Sequence, residues 1–327
     1  MTGPTRFAFT QVDVFTDRPL LGNPLAVVHG ADTLDAARMQ AFARWTNLSE
    51  TSFLLAPTDP AADYRVRIYT PDDELPFAGH PTLGSCHAWL GHGGVPKTAG
   101  EVVQQCGVGL VKIRLEAGRA AFAAPPLHRA EVDVATRDGV LAALGLPATR
   151  LVAAQWLRNG PNWLALLLDS AETVLGVAPD RALMKAFGTV GVVGPHPAGG
   201  ECAFEVRGLV GGDAGYEDPV TGSLNAGLAE WLIDAGHAPR RYVAAQGAKL
   251  GRAGRVHVAK EGGTIWVGGS SVSCVRGELS LLAPSAHNPG RSSNPIIWSS
   301  PRARWRRAWL GAKRRSASCL PLAANIR

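Results

Sequence analysis

His80 and Asp218 are proton-handling side chains set in two versions of one short segment. The first reads Gly79-His80-Pro81-Thr82-Leu83-Gly84-Ser85, and the second reads Glu217-Asp218-Pro219-Val220-Thr221-Gly222-Ser223. His80 to Asp218 and Gly84 to Gly222 are both 138 residues apart (218 − 80 and 222 − 84). A constant offset of this size predicts a duplicated unit with one site shared between the halves. An imidazole from one half and a carboxylate from the other could move protons by acid–base chemistry, with no cofactor.

A proline follows each of the two residues. The residue before proline is pushed toward extended geometry, and proline suits the first turn of a helix. Each segment therefore predicts a turn running into a helix, beginning near Pro81 and near Pro219. The side chains of residues 80 and 218 then stand at helix N-termini, where free backbone N–H groups favour a carboxylate ligand. Taken singly, either side chain could be a simple N-cap, and for Asp218 capping is the favoured single-residue role. Their recurrence as a pair points instead to a ligand site.

Glu50 is the third candidate, in Asn47-Leu48-Ser49-Glu50-Thr51-Ser52-Phe53-Leu54-Leu55. It sits where a helix should end and an apolar strand begin. A carboxylate on such a border is partly desolvated, which raises its pKa toward a value useful for a base. An isolated glutamate there would by default be a surface or ion-paired residue; the neighbouring motifs argue otherwise.

The elements that must position these groups are legible as patterns. Phe7, Phe9, Val12 and Val14 predict a first strand, and Asn23-Pro24 a turn before a strand at Leu25–Val28. Thr33 or Asp32 can cap a helix running to about Trp45, with Leu34, Ala37, Ala41 and Trp45 on its apolar face and Asn47 as its stop. Further strands are expected at 52–56, 64–69, 101–105, 109–116 and 120–124. After a linker at Pro125-Pro126 come a helix at Val134–Leu144 and strands at 151–157, 163–168, 190–193, 202–207, 242–246, 255–259, 264–267 and 272–276. The segments after His80 and Asp218 read as helices with little charge and many small residues. Such helices are buried on most sides, and strands wrapped around them would supply the burial.

The 327 residues leave room for two ordinary domains. The expected division is 1–126 and 127–282, with 283–327 as a basic tail, disordered or non-native. An RNA- or lipid-touching tail with Trp305 and Trp309 is the sharper alternative. Hydrophobic residues make up 46% and the mean hydropathy is +0.03, as in a soluble protein with a sizeable core. No apolar run approaches the roughly 20 residues of a membrane helix, and no secretory signal is apparent. The formal charge of +6 is misleading. From Arg291 to Arg327 there are nine basic and no acidic residues, leaving 24 basic against 27 acidic elsewhere. The body is mildly acidic, so its charge does not argue for nucleic-acid binding. Cys86, Cys106, Cys202, Cys274 and Cys319 are odd in number and scattered, which predicts free thiols in a reduced, cytoplasmic setting.

His80, His87 and His92 are not spaced along one helix face, so no metal is expected. His29, His128, His196, His237 and His257 read as surface or loop residues. No dinucleotide, Walker or nucleophile-elbow motif is present.

Four ordered motifs give the chain a specific resemblance. They are Gln11-Val12-Asp13-Val14-Phe15-Thr16 with Gly22-Asn23-Pro24, then Asn47-Leu48-Ser49-Glu50-Thr51, Phe77-Ala78-Gly79-His80-Pro81-Thr82, and Glu217 to Ser223. Val267-Gly268-Gly269-Ser270-Ser271-Val272 also fits. Together they resemble the PhzF-like isomerases of phenazine biosynthesis, within the diaminopimelate-epimerase-like fold, from about residue 6 to 282. The resemblance implies an α+β fold of two similar domains, each a β-barrel-like sheet around a central helix, with a cleft between. It implies Glu50 as the acid/base, with His80 and Asp218 lining the cleft and holding a small carboxylate-bearing substrate. In the same motifs Asn23, Ser49, Gly79, Gly222 and Ser223 are the expected substrate-binding residues. It further implies a homodimer with no metal or organic cofactor. Related epimerases use paired thiols, but neither loop here carries a cysteine, which disfavours that mechanism. The readings that follow are a cofactor-independent isomerase, an epimerase, racemase or dehydratase on the same scaffold, or a non-catalytic ligand-binding protein.

Overall fold

The structure is a computed structural model describing residues 5–212 and 215–281. The basic tail read from residue 283 lies outside the described residues. The chain runs β1 (Thr5–Val14), β2 (Asn23–Val28), α1 (Ala36–Thr46), β3 (Thr51–Leu55), β4 (Tyr64–Tyr69), β5 (Glu74–Leu75), α2 (Gly79–Gly91), β6 (Glu101–Cys106), β7 (Gly109–Glu116), β8 (Arg119–Ala123) and β9 (His128–Ala130). It continues through α3 (Val134–Leu144), β10 (Leu151–Arg158), β11 (Asn162–Leu168), α4 (Ala171–Gly176), α5 (Arg181–Met184), β12 (Thr189–Pro195), β13 (Phe204–Val210) and β14 (Tyr216–Asp218). Then follow α6 (Gly222–Asp234), β15 (Arg241–Gln246), β16 (Gly254–Glu261), β17 (Thr264–Gly269) and β18 (Ser271–Leu281).

The pairing order of the first half repeats in the second. β2 lies parallel to β3, β3 antiparallel to β4, and β4 parallel to β6. In the same way β11 lies parallel to β12, β12 antiparallel to β13, and β13 parallel to β15. β8 joins β17 antiparallel, so both runs form one sheet. The last strand of each run crosses over: β18 pairs with β1, and β9 with β10. These long-range pairings leave the described residues in one compact unit.

The α+β class expected from the sequence is what the chain adopts. β1, β2, β3, β6, β8 and β18 pack on α2; β10, β16 and β17 pack on α6. The near-complete burial of α2 and α6 explains why neither carries charge in its first turn. One core surrounds both helices, with Val14, Leu25, Leu83, Phe122, Leu224, Leu228 and Val267 among its members. A parallel strand covered on both faces reads as a continuous apolar run. β11 is such a strand: Ala165 and Leu167 face the inner core, while Leu164, Leu166 and Leu168 meet Val140, Leu144 and Val174 from α3 and α4.

Helix α1 departs from the pattern-based reading. Its N-cap is Asp35, whose side chain accepts from the Arg38 N–H, while Ala31–Thr33 form a separate 3₁₀ turn. Its buried face is Met39, Phe42 and Ala43; Ala37 and Ala41 are exposed, and Trp45 is 79% exposed, stacked on Phe42. Met39 and Phe42 bring more apolar surface to Phe53 and Val28 than two alanines would. Asn47 does stop the helix, in the left-handed region at φ 53°. β13 begins two residues later than expected, at Phe204. The short strands β5, β9 and β14, and helices α4 and α5, lacked a readable period. His29 is not a surface residue: it is buried, bonded to Thr10 Oγ1 at 3.0 Å, with its ring 4.3 Å from that of His92 and tilted to it by 36°. None of the described helices is long and apolar enough to cross a membrane.

Candidate active site

Helices α2 and α6 meet end to end at their first residues. A β-carbon on Gly222 would lie 3.2 Å from the Cα of Gly79; one on Gly79 would lie 3.3 Å from the Cα of Gly222. Only glycine lets two helix N-termini approach this closely. The first N–H groups of an α-helix have no partner within it, and two such ends together form an anion-attracting point.

The sequence-based starting points of these helices shift in opposite directions. α2 begins at Gly79, so His80 is its second residue and Pro81 its third. α6 begins only at Gly222, three residues after Pro219. Asp218 therefore does not cap α6; it ends β14, paired with Gly208 of β13, and the N-cap is Thr221. The β13–β14 ladder captures Tyr216–Asp218 and delays the helix.

Asn23 ties the two halves together. Its Nδ2 donates to Val220 O at 2.9 Å and to Asp218 Oδ1 at 3.1 Å, and lies 3.4 Å from His80 Nδ1. The amide has two hydrogens, which the shorter contacts to Val220 O and Asp218 Oδ1 take up; the approach to His80 Nδ1 is the longest of the three. Asn23 is held in turn at the start of β2. Asp13 Oδ2 accepts from the Gly22 N–H at 3.0 Å, and a side chain at 22 would run into Val14 O.

His80 Nε2 lies 3.4 Å from Glu50 Oε2. Glu50 occupies the end of the Asn47–Glu50 turn between α1 and β3, with its side chain 17% exposed. Burial, with the Asp218 charge adding to it, pushes its carboxyl up to about 8. Burial pushes His80 down to about 3. The separation would suit an ion pair, but both environments oppose one. The contact is a neutral acid facing a neutral imidazole near pH 7.

Asp218 is treated differently. Burial raises it to about 6, against hydrogen bonds from Thr221 and Asn23 that lower it. Thr221 Oγ1 donates to Asp218 Oδ2 at 2.6 Å. Two carboxyl groups that sense each other's charge thus have separated protonation states near pH 7, Asp218 ionised and Glu50 protonated. Such separation is the arrangement that acid–base catalysis uses. Three buried polar atoms here have no hydrogen-bond partner: Asn23 Oδ1, Glu50 Oε2 and His80 Nε2. Unpaired buried polar atoms are costly, and three of them on residues that adjoin one another mark where a polar ligand would fit.

The remaining expected residues fall around this point. Ser49 precedes Glu50 in the same turn and is half-buried. Ser223 is the second residue of α6; its Oγ receives the Trp163 Nε1–H at 3.2 Å and its carbonyl the Asn159 Nδ2–H at 2.8 Å. Cys86 lies in the core, its thiol pushed up to about 12 by burial, and is no acid–base group. Sequence reasoning missed Asn159, Trp163, Asn225 and Gln246. Gln246 had one usable signal, an amide ending the apolar run Val243-Ala244-Ala245.

Comparison with known proteins agrees with this architecture. The family described as phenazine biosynthesis-like protein (PhzC-PhzF) matches residues 12–277. The antisense-enhancing sequence 1 protein of Schizosaccharomyces pombe is 32% identical over 292 residues, covering 84% of this chain and 99% of that protein. The trans-2,3-dihydro-3-hydroxyanthranilate isomerase of Pseudomonas aeruginosa is 32% identical over 262 residues, covering 78% and 90%. The crystal structure of a Bacillus anthracis PhzF-family protein shares the fold at a TM-score of 0.74 and 19% identity, covering 85% of this chain and 100% of that one. With a match spanning nearly all the described residues, and with near full-length relatives named isomerases, the chain belongs to the phenazine biosynthesis-like (PhzF) family of isomerases.

Proposed function

We propose that this protein moves a proton from one carbon to another within a small carboxylate-bearing substrate, with Glu50 as the acid/base. The observation that carries the reading is the coupling of Glu50 and Asp218, both raised by burial, with hydrogen bonds from Thr221 and Asn23 holding Asp218 the lower of the two. Ionised Glu50 takes a proton from an activated C–H bond. The electron pair left behind forms a new C=C bond while the pair of the adjacent double bond shifts to the far carbon, which takes the proton back from protonated Glu50. His80 orients the Glu50 carboxyl from 3.4 Å away. Asp218 holds a cationic or hydroxyl substituent of the substrate. The substrate carboxylate binds at the first-turn N–H groups beginning at Gly79 and Gly222. Asn23 contributes Oδ1, and Ser223 its hydroxyl proton, since that oxygen already accepts from Trp163. Ser49 lies beside these groups.

One relative is named for trans-2,3-dihydro-3-hydroxyanthranilate, a ring carboxylate. That compound is the first substrate to try, in deuterated water with NMR detection. The expected result is hydrogen lost from one carbon and gained at another, as deuterium in the fraction of turnovers in which Glu50 exchanges with solvent first; deuterium at the original carbon with inversion indicates an epimerase instead. Glu50→Gln should lower turnover by about 10²–10⁴-fold. A folded Glu50→Gln protein with full turnover overturns the assignment. The homodimer is tested by sedimentation, where a dimer sediments at twice the 34.4 kDa chain mass.

A further inference from the structure

Gln246, the last residue of β15, is almost fully buried and has its amide fully engaged. Its Oε1 accepts from the Thr221 N–H at 3.0 Å and from Asn225 Nδ2 at 2.8 Å. Its Nε2 donates to Asp218 O at 3.1 Å and to Thr221 Oγ1 at 2.9 Å. The orientation of the amide is fixed, because a backbone N–H only donates and a backbone carbonyl only accepts.

That orientation sets the next link. Thr221 Oγ1 receives a hydrogen from Gln246, so its own hydrogen is directed onward to Asp218 Oδ2, 2.6 Å away. Asn23 Nδ2 supplies a second fixed donor at Oδ1. Asn23 Nδ2 cannot accept a proton from a neutral carboxyl, and the Thr221 hydroxyl could do so only by turning its own hydrogen away from Asp218 while keeping the Gln246 bond. The space for this chain is made by Gly208 of β13, where a β-carbon would lie 2.7 Å from Thr221 Oγ1.

The first half contains the same clasp with a different ending. Gln104 of β6 donates through Nε2 to Thr82 Oγ1 at 3.0 Å. β6 stands parallel to β4 as β15 stands parallel to β13. Thr82, however, passes its hydrogen to the Ala78 carbonyl at 2.9 Å, within the first turn of α2. One clasp fastens a helix start, whereas the other ends on an ionisable group.

We propose that Gln246, acting through Thr221, is a positioning residue that keeps Asp218 a hydrogen-bond acceptor and hence the anion of the site. This rests on the reading of Asp218 as part of the working site. The other charged or titratable groups around Asp218 are Glu50 from the turn before β3, His80 of α2 behind Asn23, and Glu217 next in sequence. Glu217 is itself clamped by Arg207 of β13 at 2.8 and 3.0 Å. The hydrogen-bond chain is therefore what opposes the burial of Asp218.

The test uses the full chain labelled with ¹³C at aspartate carboxyls, with Asp218 assigned from the signal lost in Asp218→Asn. Thr221→Val and Gln246→Met should each move the Asp218 midpoint up by about one pH unit, a tenfold change in its proton affinity. Thr221→Ser, which keeps the hydroxyl, should restore the wild-type midpoint. Gln104→Met should leave it in place while lowering thermal stability. An unchanged Asp218 midpoint in Thr221→Val overturns the proposal even if Gln246→Met does not fold. An equal rise in Gln104→Met also overturns it, since general loosening would then explain the effect. No substrate is needed, so failure here is separable from failure of the proposed isomerase reaction, which is read by deuterium transfer.

Discussion

Gly79 and Gly222, 143 positions apart in the chain (222 − 79), are in backbone contact at the first residues of their helices. A β-carbon on Gly79 would also lie 2.7 Å from the Phe122 ring. Alanine gains up to about 1 kcal/mol over glycine inside a helix, and less at a first position. Overpacking costs roughly 1–3 kcal/mol, so the clash wins. Gly79→Ala should lose about 1–2 kcal/mol in denaturant unfolding and lower kcat by separating the two helix ends. A variant as stable and active as wild type would show that the close approach is not required.

Glu50 should make the protein less stable as pH rises. Its folded value of about 8 lies above the ordinary 4.5. Across that window the native state keeps a proton that the unfolded chain releases, so stability falls as pH rises. Glu50→Gln cannot ionise. Its stability should match wild type at pH below the ordinary carboxylate value and exceed it by a few kcal/mol above about pH 8. Melting temperatures measured across this range check the sign; a gap that is constant with pH would refute it.

Asp218→Asn should shift the pH dependence of the reaction. Burial is the main cause of the raised Glu50 value, and the Asp218 charge is the second. With that charge removed, Glu50 ionises at lower pH, while burial still holds it above 4.5. The limb of kcat/KM that rises as Glu50 loses its proton should therefore move to lower pH, although kcat falls. The Glu50 carboxyl ¹³C shift gives the same midpoint without substrate. No movement in either would mean that the two carboxyls do not sense each other.

How far the sequence could be read depended on the range of the interaction. The long strands and the helices after residues 80 and 218 follow local periodicity. The duplicated corners with Glu50, His80 and Asp218 stood out through residue type and spacing, whereas Asn23 read only as a turn residue and joined the site through the family resemblance. The α1 face was misread because alanines fit the helical period as well as Met39 and Phe42 do, and only packing distinguishes them. The start of α6 was misplaced because Pro219 permits a helix there, but pairing of β14 with β13 takes those residues first.

From the amino-acid order alone came the fold class, the repeat and the three groups able to handle protons, because each leaves a local mark in residue type or period. Tertiary structure decided which proton sits where. Burial beside Asp218 keeps Glu50 protonated, Asn23 bonds to Asp218, and Gln246 reaches Asp218 through Thr221. Those effects depend on desolvation and on groups as far apart in the chain as Asn23 and Asp218, 195 residues, which no local pattern encodes.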